Sequence, residues 1–190
     1  MKNYSKHLTK YIVYDNLFSG EIMENRNTEF DKLAENYNEI TLKYLGKLDK
    51  FRDTAFIYKT NYLEYLFNNE PKTILDFGCG IGSLIPYLHN AFKNTKLYGC
   101  DISPESIRVA RHNYPYCDFK ILKDVNDLQN YEEIDCIIIN TVLHHIPQNE
   151  HEYWINGLYS ILAKKEDYTI SGCGEELCVG CMSNGGGGGG

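Results

Sequence analysis

The chain has 190 residues, the length of one domain with a single hydrophobic core. Its formal net charge of −7 disfavours nucleic acid as a partner, because affinity for nucleic acid depends mainly on Lys and Arg contacts to phosphates. It has no apolar leader and no apolar run of about 18 residues, so neither secretion nor a membrane span is expected and the predicted location is the cytoplasm. Of the seven cysteines, Cys79, Cys100, Cys117 and Cys136 are expected to be reduced thiols, as is usual in the cytosol.

The first 70 residues predict an arm followed by a helical cap. Residues 1–27 are polar and rich in Tyr, and they predict a loose arm with at most one short helix. Over residues 28–67, apolar side chains recur every three or four residues, which is typical of helices. Glu70 and Pro71 end the last of these helices. The residues that carry the first helical pattern are Phe30, Leu33, Tyr37 and Ile40.

From residue 71 to residue 172, strand and helix patterns alternate along the chain. Such alternation predicts an α/β fold with a Rossmann-like, mostly parallel sheet and flanking helices. The run at 135–140 is apolar without alternation, which indicates a central strand that is buried on both faces. Ser103 followed by Pro104 predicts a capped helix start. The predicted strands are 73–77, 96–100, 118–122, 135–140 and 168–171, and the predicted helices are 81–92, 104–112 and 150–162.

Residues 173–190 form a tail rich in Cys and Gly that ends in six glycines. Because the tail has little apolar pattern, it is predicted to be disordered. Cys173, Cys178 and Cys181 could supply three thiolates to zinc, but a fourth ligand is not evident nearby, so no metal is assigned.

The segment with the clearest chemical meaning is the glycine loop at 78–82. Gly78, Gly80 and Gly82 follow a strand in the spacing G-x-G-x-G, whereas a dinucleotide site needs G-x-G-x-x-G and here has Ser83 at its last position. Asp76 before the loop would repel a pyrophosphate but suits a cofactor with a cationic amino group. The loop therefore favours S-adenosylmethionine (SAM) over NAD, and an NAD oxidoreductase is disfavoured.

Three ordered segments together resemble the class I SAM-dependent methyltransferase family of small-molecule type. They are LDFGCGIG at 75–82, LYGCDISPESIRVAR at 97–111 and CIIINTVLHHIP at 136–147. The resemblance covers about residues 30–165 and implies SAM bound across the carboxyl ends of the strands. The family continues with two further strands where this chain has its tail, so the C-terminal strands are expected to be truncated or atypical.

The resemblance implies a set of cofactor-binding residues at the first two strand ends. The glycine loop, in which Cys79 is a small residue, would let the backbone approach the ligand, and Asp76 would hold the ammonium group. Asp101 stands 19 residues after Gly82, where an acidic side chain binds ribose hydroxyls, and Ile102 would cover adenine. The alternatives are a loop-bracing role for Asp76 and an exposed carboxylate at Asp101.

Further cofactor contacts are implied at the later strands and in the helical cap. Asp124 and Val125 resemble the segment at the adenine edge, although Asp124 could equally be an ordinary surface acid. The backbone from Asn140 onwards would pass beside the sulfonium group. Tyr37 and Lys59 resemble residues that close over the carboxylate of SAM, with core packing and solvation as their respective alternatives.

His145 is the candidate catalytic base, since a histidine can accept a proton from a hydroxyl or amine nucleophile at neutral pH. His144 or His145 could instead pack or cap the next turn, and methyl transfer can also proceed through orientation alone. The segment NTVLHH stands where enzymes that methylate amino groups of bases or protein glutamine carry NPPY or DPPY. The sequence therefore predicts a SAM-dependent methyltransferase with a small-molecule acceptor, and alternatively a SAM-binding protein without catalysis. The identity of the acceptor and the oligomeric state stay open.

Overall fold

The computed structural model describes residues 10–15, 49–67, 69–162 and 168–173. Six strands and four α-helices lie in these ranges, with short 3₁₀ turns between them. The strands are β1 (Lys10–Asp15), β2 (Thr73–Phe77), β3 (Lys96–Asp101), β4 (Asp118–Ile121), β5 (Cys136–Asn140) and β6 (Tyr168–Cys173). The helices are α1 (Asp49–Leu66), α2 (Ile85–Ala91), α3 (Pro104–Asn113) and α4 (His151–Ile161). The 3₁₀ segments are Val125–Asn130, Leu143–His145 and Gln148–Glu150.

The six strands form one parallel sheet in the order β4-β3-β2-β5-β1-β6. In the register, Phe77 of β2 lies between Cys100 of β3 and Ile139 of β5. Because all strands run the same way, their carboxyl ends meet at one edge of the sheet, which is where open α/β sheets bind ligands. The predicted Rossmann-like α/β fold class is confirmed.

Apolar side chains cover both faces of the central strands, as the unbroken apolar run in β5 predicted. Ile74 and Ile138 point to one face, where they join Leu63 of α1 and Leu88 of α2. The alternate residues of the same strands face the other side, with α4 and the 3₁₀ segment Val125–Asn130; Leu75, Ile137, Leu128 and Leu158 are fully buried there. These two apolar layers hold β2 and β5 in place within the sheet. They therefore also determine where the loops after these strands begin.

The prediction of a loose arm over residues 1–27 is wrong for Lys10–Asp15, which forms strand β1. This strand pairs in parallel with β5 on one side and with β6 on the other. The sequence there, KYIVYD, is rich in β-branched and aromatic residues that favour strands. The predicted fifth strand of the core is observed as β6, and β1 lies between it and β5.

The boundaries of the core elements agree closely with the sequence pattern. Ser103 caps α3, where its side chain accepts a hydrogen bond from the backbone N–H of Ser106 at 3.0 Å, as predicted. Helix α2 begins at Ile85 instead of Ile81, since residues 81–84 form turns after the glycine loop. No helix in the described part of the chain combines the length and the apolar character needed to cross a bilayer. The helical pattern around Tyr37 and the tail from residue 174 lie outside the described residues.

Candidate functional site

The glycine loop leaves the carboxyl end of β2 with three residues in the left-handed region that favours glycine: φ is 73° at Gly78, 53° at Gly80 and 81° at Gly82. A Cβ atom at Gly78 would lie 2.2 Å from Cγ2 of Val142, and one at Gly82 would lie 2.9 Å from the ring of Tyr114. A Cβ atom at Gly80 would meet no atom of the described residues within 4 Å. Gly78 and Gly82 are therefore required for packing, whereas Gly80 borders open space.

Cys79 contributes only its backbone to the loop surface. Its side chain is buried, and burial raises the pKa of the thiol well above its usual value. The backbone N–H groups of Gly78 and Cys79 both donate to the carbonyl oxygen of Cys100, at 2.8 and 2.9 Å. The Cys79 thiol is therefore a protonated core group, and the loop is pinned to β3.

Asp76, on β2, is a carboxyl group enclosed by the protein, with only 2% of its surface exposed. Burial raises its pKa to about 7, and repulsion from Asp101 adds to this effect, while the charge of Lys59 opposes it. A buried carboxylate that lacks a full counter-charge favours a cation placed nearby. The position of Asp76 is therefore suited to an ammonium group.

Asp101 is the last residue of β3, and its side chain contacts both the glycine loop and the residue that caps α3. Its Oδ2 accepts a hydrogen bond from the N–H of Gly80 at 2.8 Å, and its Oδ1 accepts one from the N–H of Ser103 at 2.9 Å. It is half-buried, so it is not the exposed carboxylate considered as an alternative. The Asp101 carboxylate therefore links the end of β3 to the glycine loop and to the start of α3. Ile102, which follows Asp101, is exposed at this edge, with 38% of its surface accessible.

Asp124 and Val125 have structural roles that the sequence analysis did not anticipate. Asp124 caps the 3₁₀ segment Val125–Asn130, where it accepts from the N–H of Asn126 at 2.9 Å in a capping box with Asp127. The Val125 side chain is buried against Gly157 of α4, where a Cβ atom would lie 2.4 Å from Cγ1 of Val125. Only the exposed Asp124 and the backbone of Val125 are thus placed for contact with a ligand.

The carboxyl end of β5 is tied to helix α1. Lys59 Nζ donates a hydrogen bond of 2.5 Å to Asn140 Oδ1, so this lysine is not simply solvated. The next residue, Thr141, has a φ of 57°, a conformation that costs a non-glycine residue of order 1–3 kcal/mol. Backbone strain of this kind concentrates at functional sites, and nothing in the sequence indicated it.

The two histidines after β5 differ in environment. Their rings lie 3.8 Å apart between centroids. His144 is half-buried, its Nδ1 has no hydrogen-bond partner among the described residues, and burial lowers its pKa below the usual value. His145 is exposed. His145 is therefore the member of the pair that a molecule from solvent can reach. Within the described ranges, no group of three or more His, Cys, Asp or Glu side chains could hold a metal ion.

Comparison with known proteins shows what the chain is similar to. Residues 74–165, which hold most of β2 and the elements from α2 to α4, match the family model described as a methyltransferase domain. Over this stretch the chain is similar to the class I SAM-dependent methyltransferases. The cofactor of this family is SAM, and the residues present fit it: the glycine loop has room at Gly80, and a buried carboxyl group lies at the loop's base.

The curated relatives that the chain matches differ in the acceptor that their names give. The tRNA N(3)-methylcytidine methyltransferase trm141 of Schizosaccharomyces pombe is 29% identical over 147 residues, which cover 70% of this chain and 59% of the relative. The trans-aconitate 2-methyltransferase of Escherichia coli is 32% identical over 78 residues, which cover 41% of this chain and 31% of the relative. The chain thus matches less than two thirds of the length of either relative.

A solved structure of similar fold belongs to a proposed SAM-dependent methyltransferase of Methanococcus maripaludis. The TM-score is 0.59 at 21% identity, over 80% of this chain and 68% of that chain. This likeness supports the fold alone.

Proposed function

We propose that this chain is an enzyme that transfers a methyl group from SAM to a small-molecule acceptor. The observation that carries the proposal is that two features lie at the carboxyl edge of the sheet. They are the buried carboxyl group of Asp76 and the open space beside the backbone of Gly80. SAM supplies an electrophilic methyl group when bound. The chain's task is to bind the cofactor, orient the acceptor and remove a proton where the acceptor carries one.

The charges at the edge suit the amino-acid end of SAM. Asp76 provides a negative group for the ammonium, and Lys59 on α1 provides a positive group for the carboxylate. Lys59 is close enough to lower the pKa of Asp76, so the two charges belong to one site. Tyr37, outside the described residues, is proposed to assist Lys59.

The nucleoside end of SAM is assigned to the β3 and β4 ends. Asp101 is proposed to accept from the ribose hydroxyls while it holds Gly80, and Ile102 to cover adenine. Asp124 is proposed to accept from the exocyclic amine, with the backbone of Val125 beside it. We also propose residues 71–172 as the cofactor-binding core, with β1 and α1 supplied by residues 1–70, and the cytoplasm as the location.

His145 is proposed as the general base, with the backbone from Asn140 to Val142, which includes the strained Thr141, beside the sulfonium. Its exposure lets an acceptor reach it, while His144 is neutral and half-buried. A His145→Ala variant should lose about a hundredfold in rate if the base is required. Full activity in that variant would leave orientation as the source of catalysis.

The small-molecule acceptor is supported by the acidic net charge and by the relative that is named for trans-aconitate. A second candidate acceptor is tRNA, because the S. pombe relative matches the longer stretch of the two relatives described above. Incubation of the chain with SAM carrying a tritiated methyl group, and with separate low-molecular-weight and tRNA fractions of a cell extract, distinguishes the two. Label in the low-molecular-weight fraction alone is the expected result, and label in tRNA alone would overturn the acceptor proposal. SAM binding without label in either fraction would support the alternative of a binding protein without catalysis.

A further inference from the structure

His151, the first residue of α4, makes two contacts to the loop that carries the histidine pair. Its Nε2 lies 2.9 Å from the carbonyl oxygen of Leu143 and 2.9 Å from the carbonyl oxygen of Ile146. Carbonyl oxygens accept hydrogen bonds and do not donate them, so Nε2 must carry the proton that both contacts share. The imidazole therefore joins both ends of the segment 143–146 to the start of a helix.

This connection is more than a local turn. The N–H of Ile146 already donates to the carbonyl oxygen of Leu143 at 3.0 Å, and this bond closes the 3₁₀ turn that contains His144 and His145. The single N–H at Nε2 of His151 is shared between this carbonyl oxygen and the carbonyl oxygen of Ile146. Helix α4 is itself packed on the sheet through Leu158, which is fully buried. The turn is thus anchored to the core through one side chain.

The anchored turn also connects to the cofactor loop. Val142, just before the turn, fills the space that a side chain at Gly78 would occupy, and its carbonyl oxygen accepts from the N–H of His145 at 2.8 Å. A displacement of the turn would therefore move both the exposed imidazole of His145 and the packing of the glycine loop.

From these contacts we propose that His151 is a positioning residue for methyl transfer: it holds the turn 143–146 so that His145 and the acceptor are oriented towards the cofactor edge. This inference rests on the proposed function, because the turn borders the acceptor only if the chain is a methyltransferase. His151 itself touches neither cofactor nor acceptor in this account.

The test uses two substitutions that separate the donor from the ring. His151→Phe keeps an aromatic ring but removes the donor. His151→Gln removes the ring but keeps an N–H donor at the same number of bonds from Cβ. The matched control is His112→Phe, which replaces an exposed histidine in the last turn of α3.

Four measurements are made on the full chain. Amide hydrogen exchange of residues 141–147 is recorded with S-adenosylhomocysteine (SAH) bound. SAH affinity is measured by calorimetry. The maximal rate of tritiated methyl transfer into the low-molecular-weight fraction and the KM for SAM are measured in the assay described above. Global stability by urea unfolding shows that each variant is folded.

We expect His151→Phe to speed exchange in the turn and to lower the maximal rate by about ten- to a hundredfold, with the KM for SAM changed by less than about threefold. His151→Gln should restore both the exchange and the rate, and His112→Phe should match the wild type. Wild-type exchange and rate in His151→Phe, or equal losses in the Phe and Gln variants, would overturn the positioning role. If the wild type transfers no methyl group, the proposed function fails, while the exchange data still decide whether His151 holds the turn.

Discussion

Lys59 on helix α1 donates a hydrogen bond of 2.5 Å to the side chain of Asn140 at the end of β5. The two residues are 81 positions apart in the chain. Their hydrogen bond holds helix α1 against the edge of the sheet at which Asp76 lies. The charge of Lys59 also lowers the pKa of Asp76, against the effect of burial. One lysine thus connects the helical segment, the strained end of β5 and the buried carboxyl group.

Removal of this charge should weaken cofactor binding. Lys59→Met keeps the length of the side chain but loses the partner for the SAM carboxylate, and it should raise the pKa of Asp76 further. We expect SAH affinity to fall about tenfold at neutral pH in calorimetry. Lys59→Arg, which keeps the charge, is the matched control and should retain most of the affinity. Equal affinity of the Met variant and the wild type would exclude Lys59 from the site.

The raised pKa of Asp76 predicts a specific dependence of stability on pH. The pKa of about 7 means that Asp76 keeps its proton up to about that pH in the folded chain, whereas in the unfolded chain the carboxyl group loses its proton near its ordinary pKa of 3.8. The stability of the ligand-free chain should therefore fall as pH rises between these two values and level off above them. The difference corresponds to an upper bound of roughly 4 kcal/mol in the free energy of unfolding.

Urea unfolding of the wild type and of Asp76→Asn at several pH values tests this dependence, since the Asn side chain does not titrate. The wild type should lose stability relative to Asp76→Asn as pH rises. A constant difference between the two proteins across this range would mean that Asp76 titrates as an ordinary exposed carboxyl group.

Replacement of Gly78 by Ala and replacement of Gly80 by Ala should have different effects on stability and on cofactor affinity. Gly78→Ala places a Cβ atom 2.2 Å from Val142 and should cost about 2–4 kcal/mol of unfolding free energy. Gly80→Ala meets open space and should cost only about 1 kcal/mol, from its left-handed backbone. We expect SAH affinity, in contrast, to fall in Gly80→Ala, because that space is assigned to the cofactor.

Thermal unfolding and calorimetry on the two glycine variants measure these effects separately. Undiminished SAH binding by Gly80→Ala would show that the cofactor does not occupy the space beside Gly80. Equal stability of the two variants would contradict the packing role of Gly78.

Asp101 should matter for both the loop and the ligand. Asp101→Ala removes the acceptor for the N–H groups of Gly80 and Ser103 as well as for the ribose hydroxyls, so we expect SAH affinity to fall about ten- to a hundredfold in calorimetry. Asp101→Asn keeps one acceptor oxygen and should lose less. Asp118→Ala replaces an exposed carboxylate at the amino end of β4 and serves as the control. Unchanged affinity in Asp101→Ala would remove the assignment.

Local signals in the sequence predicted the core of the fold well. Ser103 and Pro104 specify a helix start through their own backbone preferences, and the apolar run of β5 reports burial on both faces. Strand β1 carried a signal too, in its β-branched and aromatic residues, but the polar and Tyr-rich surroundings concealed it. For Asp124, the acidic residue three positions later indicated a capping box, a signal that the resemblance to a ligand contact concealed.

Other features of the site depend on contacts between distant segments. No local pattern relates Lys59 to Asn140, because the contact exists only once α1 packs over the sheet. Thr141 adopts a left-handed backbone although its residue type disfavours it, so the surrounding structure must impose the conformation. The raised pKa of Asp76 likewise depends on burial, which the sequence suggests but does not measure.

The most direct test of the central claim is calorimetric titration of the full chain with SAM, SAH and NAD. The account predicts binding of both sulfur compounds in the micromolar range and no binding of NAD, because the loop has an acidic residue at its base and lacks the third dinucleotide glycine. Binding of NAD, or failure of a folded chain to bind either SAM or SAH, would contradict it.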